Sequence, residues 1–170
     1  MKKTPTLAAL AAGSLLFVPA TDAATSKPPQ KPGATYEGVT SQGRSHCRAG
    51  GSNDQPCAVK LKVSGNGGRV RKLQIYFFAD CDDGKVFRSS TIFENPPISA
   101  RGRFKNDSTY SETLGDGSKA KDSVAVTGRF RHKGKRYSVS GTYSIDAKLR
   151  LDDGTSTKCS SGNVTYKARV

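Results

Sequence analysis

The stretch that decides the fold runs from Ser123 to Ile145 and reads SVAVTGRFRHKGKRYSVSGTYSI. Apolar or small residues alternate with polar ones on both sides of a basic turn, which is the pattern of half-buried strands. A two-residue turn at Lys133-Gly134 would place Gly128 opposite Val139, so that small residues face larger ones. The stretch therefore predicts a long β-hairpin with an apolar face and a face of Arg, Ser and Thr.

The same alternation recurs along most of the remaining chain. It is clearest at residues 58–64, 69–80, 98–105 and 164–170, which are separated by Gly-rich, Asp-Gly or Pro-containing segments. No apolar stripe of helical period lasts beyond two turns. We therefore expect an all-β fold, an antiparallel β-sandwich or flattened barrel of about eight to ten strands.

A glycine precedes an aromatic residue by two positions at three sites, Gly102, Gly128 and Gly141. Inward aromatic rings are usually part of a core, and a glycine lets a facing strand or ring come close. This repeat predicts close packing inside the domain. A repeated platform for stacking sugars is the alternative.

The N-terminus has the pattern of an export signal. Two lysines at positions 2 and 3 precede a short apolar run, Leu7–Val18, and small residues follow a proline. The run is too short to span about 30 Å of hydrocarbon. Residues 1–23 are therefore predicted to be a signal peptide that is cleaved after Ala23 or Ala24. This predicts a secreted protein, outside the cell or in its envelope.

Two further segments follow the predicted signal peptide. Residues 24–34 contain three prolines and no large apolar side chain, which predicts a disordered Pro-rich linker. Residues 35–170 are long enough for one hydrophobic core and are predicted to form a single β domain.

The four cysteines of an exported chain predict two disulfides. Three pairings are possible, and we favour Cys47–Cys57 with Cys81–Cys159. The first would close a polar loop, and the second would tie an early strand end to the last strands. Zinc is the alternative, but the spacing offers no C-x-x-C pair.

The basic side chains are the strongest functional indication. The formal net charge is +14, which favours anionic partners. Several cations fall on the outward phase of their strands, where acids are scarce. The predicted binding residues are Arg101, Arg103, Lys105, Arg129, Arg131, Arg136, Lys167 and Arg169.

The expected partner is an anionic polysaccharide or a cell-wall polymer. There is no tryptophan and few outward aromatics accompany the cations, so specific nucleic-acid binding is not expected. No second long apolar run follows the first, and we expect no integral membrane association. We expect a monomeric, non-enzymatic binding domain without cofactor.

Two alternatives remain open. Acidic turns at residues 80–83 and 152–153 could bind calcium or serve a secreted hydrolase, although Asp-Gly is also the ordinary hairpin-turn dipeptide. The Cys47–Cys57 loop could instead belong to a protein-binding module such as a protease inhibitor. We assign no catalytic residue and no metal ligand, because no recognisable nucleophile or phosphate-loop motif occurs.

Several motifs together resemble a family of small exported bacterial all-β proteins of unknown function. They are Tyr36-x-Gly38-x-Thr40-Ser41-Gln42-Gly43, a Val-Arg-Lys-Leu strand ending in Cys81-Asp82-Asp83-Gly84, Gly-x-Phe strands, and Cys159-Ser160-Ser161-Gly162-x-Val164-x-Tyr166-x-Ala168. The resemblance covers most of residues 35–170. It implies an all-β domain in which the cysteines at 81 and 159 occur together, with Cys47 and Cys57 as an addition. It implies no activity and no site.

Overall fold

A computed structural model of the chain describes residues 28–44, 58–113 and 117–170, and these residues form nine β-strands and one 3₁₀ turn. The strands are β1 (Thr35–Thr40), β2 (Ala58–Val63), β3 (Val70–Cys81), β4 (Val86–Phe93), β5 (Arg103–Thr113), β6 (Lys119–Lys133), β7 (Arg136–Arg150), β8 (Ser156–Ser160) and β9 (Val164–Arg169). The 3₁₀ turn, Ser41–Arg44, follows β1.

Six strands close into an antiparallel barrel in the order β3-β2-β1-β9-β7-β8. The other three strands bond outside this ring: β4 pairs with the free edge of β3, and β6 and then β5 extend the sheet from β7. The predicted all-β antiparallel architecture is therefore confirmed.

The ring is closed by β8, a short polar strand that the sequence pattern did not identify as a strand of its own. It pairs with Cys81 of β3 on one side and with residues 146–150 of β7 on the other. Cys81 and Cys159 are directly opposed across β3 and β8 and form a disulfide, as predicted. This bond indicates an oxidising, extracellular setting. The other predicted disulfide, Cys47–Cys57, lies outside the described residues.

Gln42 fills a gap in the wall of the barrel. On one edge of β3, pairing with β2 ends near Ile75 and pairing with β8 begins at Asp80. Between them, the Gln42 amide donates to the carbonyl oxygen of Phe78 at 2.8 Å, and its oxygen accepts from the Phe78 N–H at 3.1 Å. The side chain thus satisfies both backbone groups of Phe78 on this edge of β3.

The central hairpin forms, but its predicted register is wrong by two residues. Lys133 pairs with Arg136, so Gly134 and Lys135 make the turn. Gly134 has a φ of 59°, which suits the first central position of a type II′ hairpin turn. Gly128 consequently faces Gly141 and not Val139. A shift of two keeps every side chain on its predicted face of the sheet.

The facing glycines make room for two aromatic residues. The Phe104 ring occupies the place of a side chain at Gly128, and the Tyr166 hydroxyl lies over the glycine pair. That hydroxyl donates to the carbonyl oxygen of Thr127 at 2.8 Å. The interpretation of these glycines as packing sites is therefore correct. The buried Tyr166 of β9 is hydrogen-bonded to β6 inside the domain.

Aromatic rings contact one another inside a core that is otherwise mostly aliphatic. Tyr36 meets Phe130 edge-on with ring centroids 5.2 Å apart, and Tyr143 contacts Phe77 at the same centroid distance. Tyr143 also contacts Phe93 of β4, so a strand outside the ring shares the same core. Burial of these rings, together with the aliphatic side chains around them, stabilises the fold.

Residues 28–34, the end of the predicted linker, lie against the barrel. Gln30 is buried and its amide donates to the carbonyl oxygen of Gly67 at 2.8 Å. The Lys31 N–H donates to the Tyr36 hydroxyl at 2.8 Å. In the described part of the chain, no helix has the length and apolar character needed to cross a membrane.

Candidate polyanion-binding face

The structure brings most of the predicted cations onto one outer face, formed by β5, β6, β7 and β9. Arg103 lies opposite Arg129, Arg129 opposite Ser140, and Ser140 opposite Lys167. We call the three cations of this line, Arg103, Arg129 and Lys167, the basic row. At about 4.8 Å per strand, the row spans about 14 Å across the sheet.

The neighbouring positions on the same face are also cationic. Arg169 and Arg131 flank Ser138 in the next line towards the turn, and Arg136 follows opposite Lys133. Lys105 lies on the other side of the basic row, opposite Thr127. Arg101 is exposed in the turn before β5. Seven of the eight predicted binding residues therefore share one face, and Arg101 lies at its margin.

The two acidic side chains nearest to this surface are already engaged. Glu37 forms an ion pair with Lys60 at 3.2 Å, and Asp107 forms one with Lys105. Across residues 28–44, 58–113 and 117–170, no carboxylate pairs with any cation of the basic row. Like charges directly opposite each other, as at Arg103 and Arg129, repel, so this face gains energy from a bound anion.

A groove of about 660 Å³ lies along the Arg103–Arg129 part of the basic row. Its lining residues are Pro97, Ile98, Ser99, Arg103, Phe104, Lys105, Thr127, Gly128, Arg129 and Ser140. The lining thus combines three apolar residues, Pro97, Ile98 and Phe104, with two arginines and three residues that carry a hydroxyl group. It also includes Lys105, whose ammonium group is paired with Asp107. Guanidinium groups bind carboxylate and phosphate oxygens in pairs, and hydroxyls add further donors. The groove is suited to anionic groups on a larger molecule.

The glycine pair beneath this groove shapes it. Gly128 and Gly141 face Tyr166 on the inside, while their neighbours Thr127 and Arg129 point outwards. Because Tyr166 holds the Thr127 carbonyl, the backbone under the groove is fixed from within. The interior packing therefore positions the outward cations.

The sequence prediction missed a second cationic cluster on the outer face. Lys121 lies opposite Lys148, and Lys148 opposite Lys158; we call these three the lysine row. The next line adds Lys119 opposite Arg150. The alternation in β6 and β7 could have shown from the sequence that Lys121 and Lys148 point outwards. Only the tertiary structure shows that β8 brings Lys158 beside them.

A second concavity, of about 580 Å³, surrounds the lysine row. Ser123, Thr109 and Ser160 add hydroxyl groups to its lining, and Asp80, Asp82 and Asp146 add three carboxyl groups. Asp82 lies beside Lys158, and the Asp146 carboxylate accepts from the Ser160 hydroxyl at 2.7 Å. In the described part of the chain no ion pair joins these acids to the lysine row.

The acidic turns have the geometry of ordinary capped turns. Asp83 accepts from the Lys85 N–H at 3.1 Å, and Asp153 accepts from the Thr155 N–H at 2.8 Å. The hydrogen bond from the Lys85 N–H is the main cause that lowers the pKa of Asp83. The pKa of Asp153 is lowered first by the Thr155 hydroxyl, which donates to it at 2.6 Å, and then by the Thr155 N–H. A carboxyl group that stays ionised is a poor general acid, and both are exposed. Among the described residues, no three His, Cys, Asp or Glu side chains come close enough to hold a metal ion.

A buried polar cluster joins four strands inside the domain. Asp122 of β6 is 3% exposed and hydrogen-bonds to Tyr110 of β5, which also bonds to Thr91 of β4. The hydroxyls of Thr91 and Tyr143 lie 3.1 Å apart. Among the described residues, one carboxylate oxygen of Asp122 has no hydrogen-bond partner. Asp122 lies on the same inward face of β6 as Val124. An acidic residue at an inward position could have indicated this buried carboxyl group from the sequence.

We expect Asp122→Asn to stabilise the protein at neutral pH. Burial, and then the nearby Glu112, raises the pKa of Asp122, so the unfolded chain releases this proton at lower pH than the folded chain. The free energy of unfolding of the wild type therefore falls as pH rises from about 3.9 through the folded pKa. Urea unfolding of both proteins from acid to neutral pH measures this effect. The free energy of unfolding should decline with pH in the wild type and should not decline in the variant.

The matched control is Asp146→Asn on the exposed outer face, where substitutions usually change stability by less than about 0.5 kcal/mol. Equal pH profiles for wild type and Asp122→Asn would contradict the assignment.

Comparisons of this chain with known protein families, with curated proteins and with solved structures find no match.

Proposed function

We propose that this protein is a secreted, non-enzymatic β-domain that binds an anionic extracellular or cell-envelope polymer through its outer face. The observation that carries the proposal is the basic row, in which three cations share one line across the sheet without an acidic partner in the described chain. The groove along that row offers a concave contact surface. The resemblance to small exported all-β proteins supports only the part of this proposal that concerns an exported β-domain.

Electrostatics supports a polymer over a small anion. The cations are exposed, so each contact with a single charge is weak in water. A polymer gains many such contacts at once, while a small anion gains few. The formal net charge of +14 adds long-range attraction for any polyanion.

The compartment is part of the same proposal. A signal peptide at residues 1–23 would export the chain, and the Cys81–Cys159 disulfide fits the oxidising environment outside the cytoplasm. Outside the cell, the polyanions within reach are wall polymers and acidic polysaccharides.

Removing the basic row should weaken polyanion binding and leave the fold intact. Each cation near an anionic surface contributes on the order of 1 kcal/mol, and 1.4 kcal/mol corresponds to tenfold. We therefore expect Arg103→Ala/Arg129→Ala/Lys167→Ala to bind polyanionic wall material on the order of tenfold to 100-fold more weakly. Retention on a polyanion column over a salt gradient measures this effect.

The matched control removes three cations from the β2–β3 side of the barrel, as Lys62→Ala/Arg71→Ala/Lys72→Ala. Its net charge equals that of the test variant, so it accounts for non-specific attraction. Wild-type binding should weaken steeply with salt, because at about 1 M the Debye length is only about 3 Å. Equal loss in both variants, or wild-type retention that salt does not change, would refute a specific outer-face site.

A further inference from the structure

The outer face carries two cationic clusters, one near each end of its two longest strands. On β6, eight residues separate Arg129 of the basic row from Lys121 of the lysine row. On β7, the same spacing separates Ser140 from Lys148. At about 3.4 Å per residue, the two rows lie about 27 Å apart along paired strands.

The side chains between the two rows are short, and most of them carry hydroxyl groups. Thr127 and Thr142 are cross-strand neighbours whose hydroxyls lie 2.8 Å apart, and Ser144 and Ser123 follow towards the lysine row. These short side chains leave a path along β6 and β7, on which the exposed Asp146 is the last β7 residue before Lys148 on this face. A flexible chain can therefore contact both concave surfaces at the same time.

The lysine row itself indicates an anionic ligand. Three lysines stand directly opposite one another across β6, β7 and β8, an arrangement that costs stability by repulsion. Asp82 and Asp146 border the row without forming an ion pair with it in the described chain. Lys119 and Arg150 extend the row away from Asp146. Asp80, Asp82 and Asp146 line the same concavity and equal the three lysines in number, so the excess positive charge of the cluster comes from Lys119 and Arg150.

The composition of the face favours a particular kind of polyanion. No outward position of β5 to β9 carries an aromatic ring. Polymers built from sugar or nucleobase rings gain much of their binding from stacking on such rings. The Phe104 ring borders the groove of the basic row but is only 4% exposed, so cations and hydroxyl groups dominate the face, and these match the oxygens of phosphate groups.

We infer that the ligand is a linear, ring-free phosphate polymer that spans both rows along β6 and β7. This inference rests on the proposed function and adds the ligand class and the two-point attachment. Once one part of the chain binds the basic row, the next part meets the lysine row at high effective concentration. Affinity must then depend on chain length.

The test uses linear polyphosphate fractions of graded length, titrated calorimetrically into the mature protein. Tripolyphosphate is much shorter than about 27 Å, so it reaches only one row. Chains long enough to span both rows should bind on the order of 100-fold more tightly. In Lys121→Ala/Lys148→Ala/Lys158→Ala, the long chains should lose this gain, and tripolyphosphate affinity should fall by no more than about twofold.

The controls separate this inference from the proposed function. Lys62→Ala/Arg71→Ala/Lys72→Ala has the same net charge and should keep the length dependence. A length dependence that survives removal of the lysine row would overturn two-point attachment while leaving the outer face a polyanion site. A polygalacturonate chain of equal length that binds as tightly would overturn the phosphate class. Absence of binding by every polyanion would instead refute the proposed function.

Discussion

Gly141→Ala should destabilise the protein by about 3 kcal/mol or prevent folding. An added methyl group at Gly141 would overlap the carbonyl oxygen of Thr127 and lie 2.8 Å from the Tyr166 hydroxyl. The oxygen belongs to the backbone of a paired strand, so it cannot rotate away, and overpacking of this kind typically costs about 1–3 kcal/mol. Displacing the hydroxyl also removes its bond to Thr127, worth about 1 kcal/mol.

Chemical denaturation of the wild type and both glycine variants measures this effect. The control is Gly65→Ala, because a methyl group there meets open space and the backbone is not left-handed. That change should alter the free energy of unfolding by less than about 1 kcal/mol, in the stabilising direction. Equal midpoints for Gly141→Ala and wild type would show that the glycine pair is not required for the close approach.

Loss of the Cys81–Cys159 disulfide should have an effect of similar size. The bond joins residues separated by 78 positions, and closing a loop of that length restricts the unfolded chain by about 4 kcal/mol. We expect Cys81→Ala/Cys159→Ala to melt roughly 10 °C below the wild type. Alanine is the suitable replacement because Cys159 is buried and a serine hydroxyl would need a partner.

Calorimetric melting of the oxidised proteins tests this expectation. The Cys47→Ala/Cys57→Ala variant is the control for a general effect of removing cysteines. A difference below about 1 kcal/mol between wild type and Cys81→Ala/Cys159→Ala would mean that strand pairing alone holds β8 in the ring. Reduced binding of long polyphosphate would accompany the loss if the disulfide also positions Lys158.

These two effects act on the parts of the fold that shape the outer face. The glycine pair lies directly under the groove of the basic row. The disulfide holds β8, which carries Lys158 of the lysine row, against β3. Both therefore link the interior to the proposed binding surface, and both should be tested for binding as well as stability.

The sequence alone determined the fold class and the face of almost every side chain in the central hairpin. Alternation with a period of two is a local property, so it identifies Val124 and Arg129 as inward and outward without any tertiary information. For the same reason, the predicted cations are exposed as expected. The Cys81–Cys159 disulfide could also be predicted from the sequence, because four cysteines allow only three pairings.

Only the tertiary structure decided which outward residues are neighbours. The register of the hairpin depends on where its turn begins. The turn begins at Gly134, and the alternation fits a turn that begins at Lys133 equally well. β8 is short and polar, and its place between β3 and β7 depends on contacts distant in sequence. The lysine row exists only because of that placement. Local patterns specify faces, whereas long-range pairing brings the charges of separate strands together.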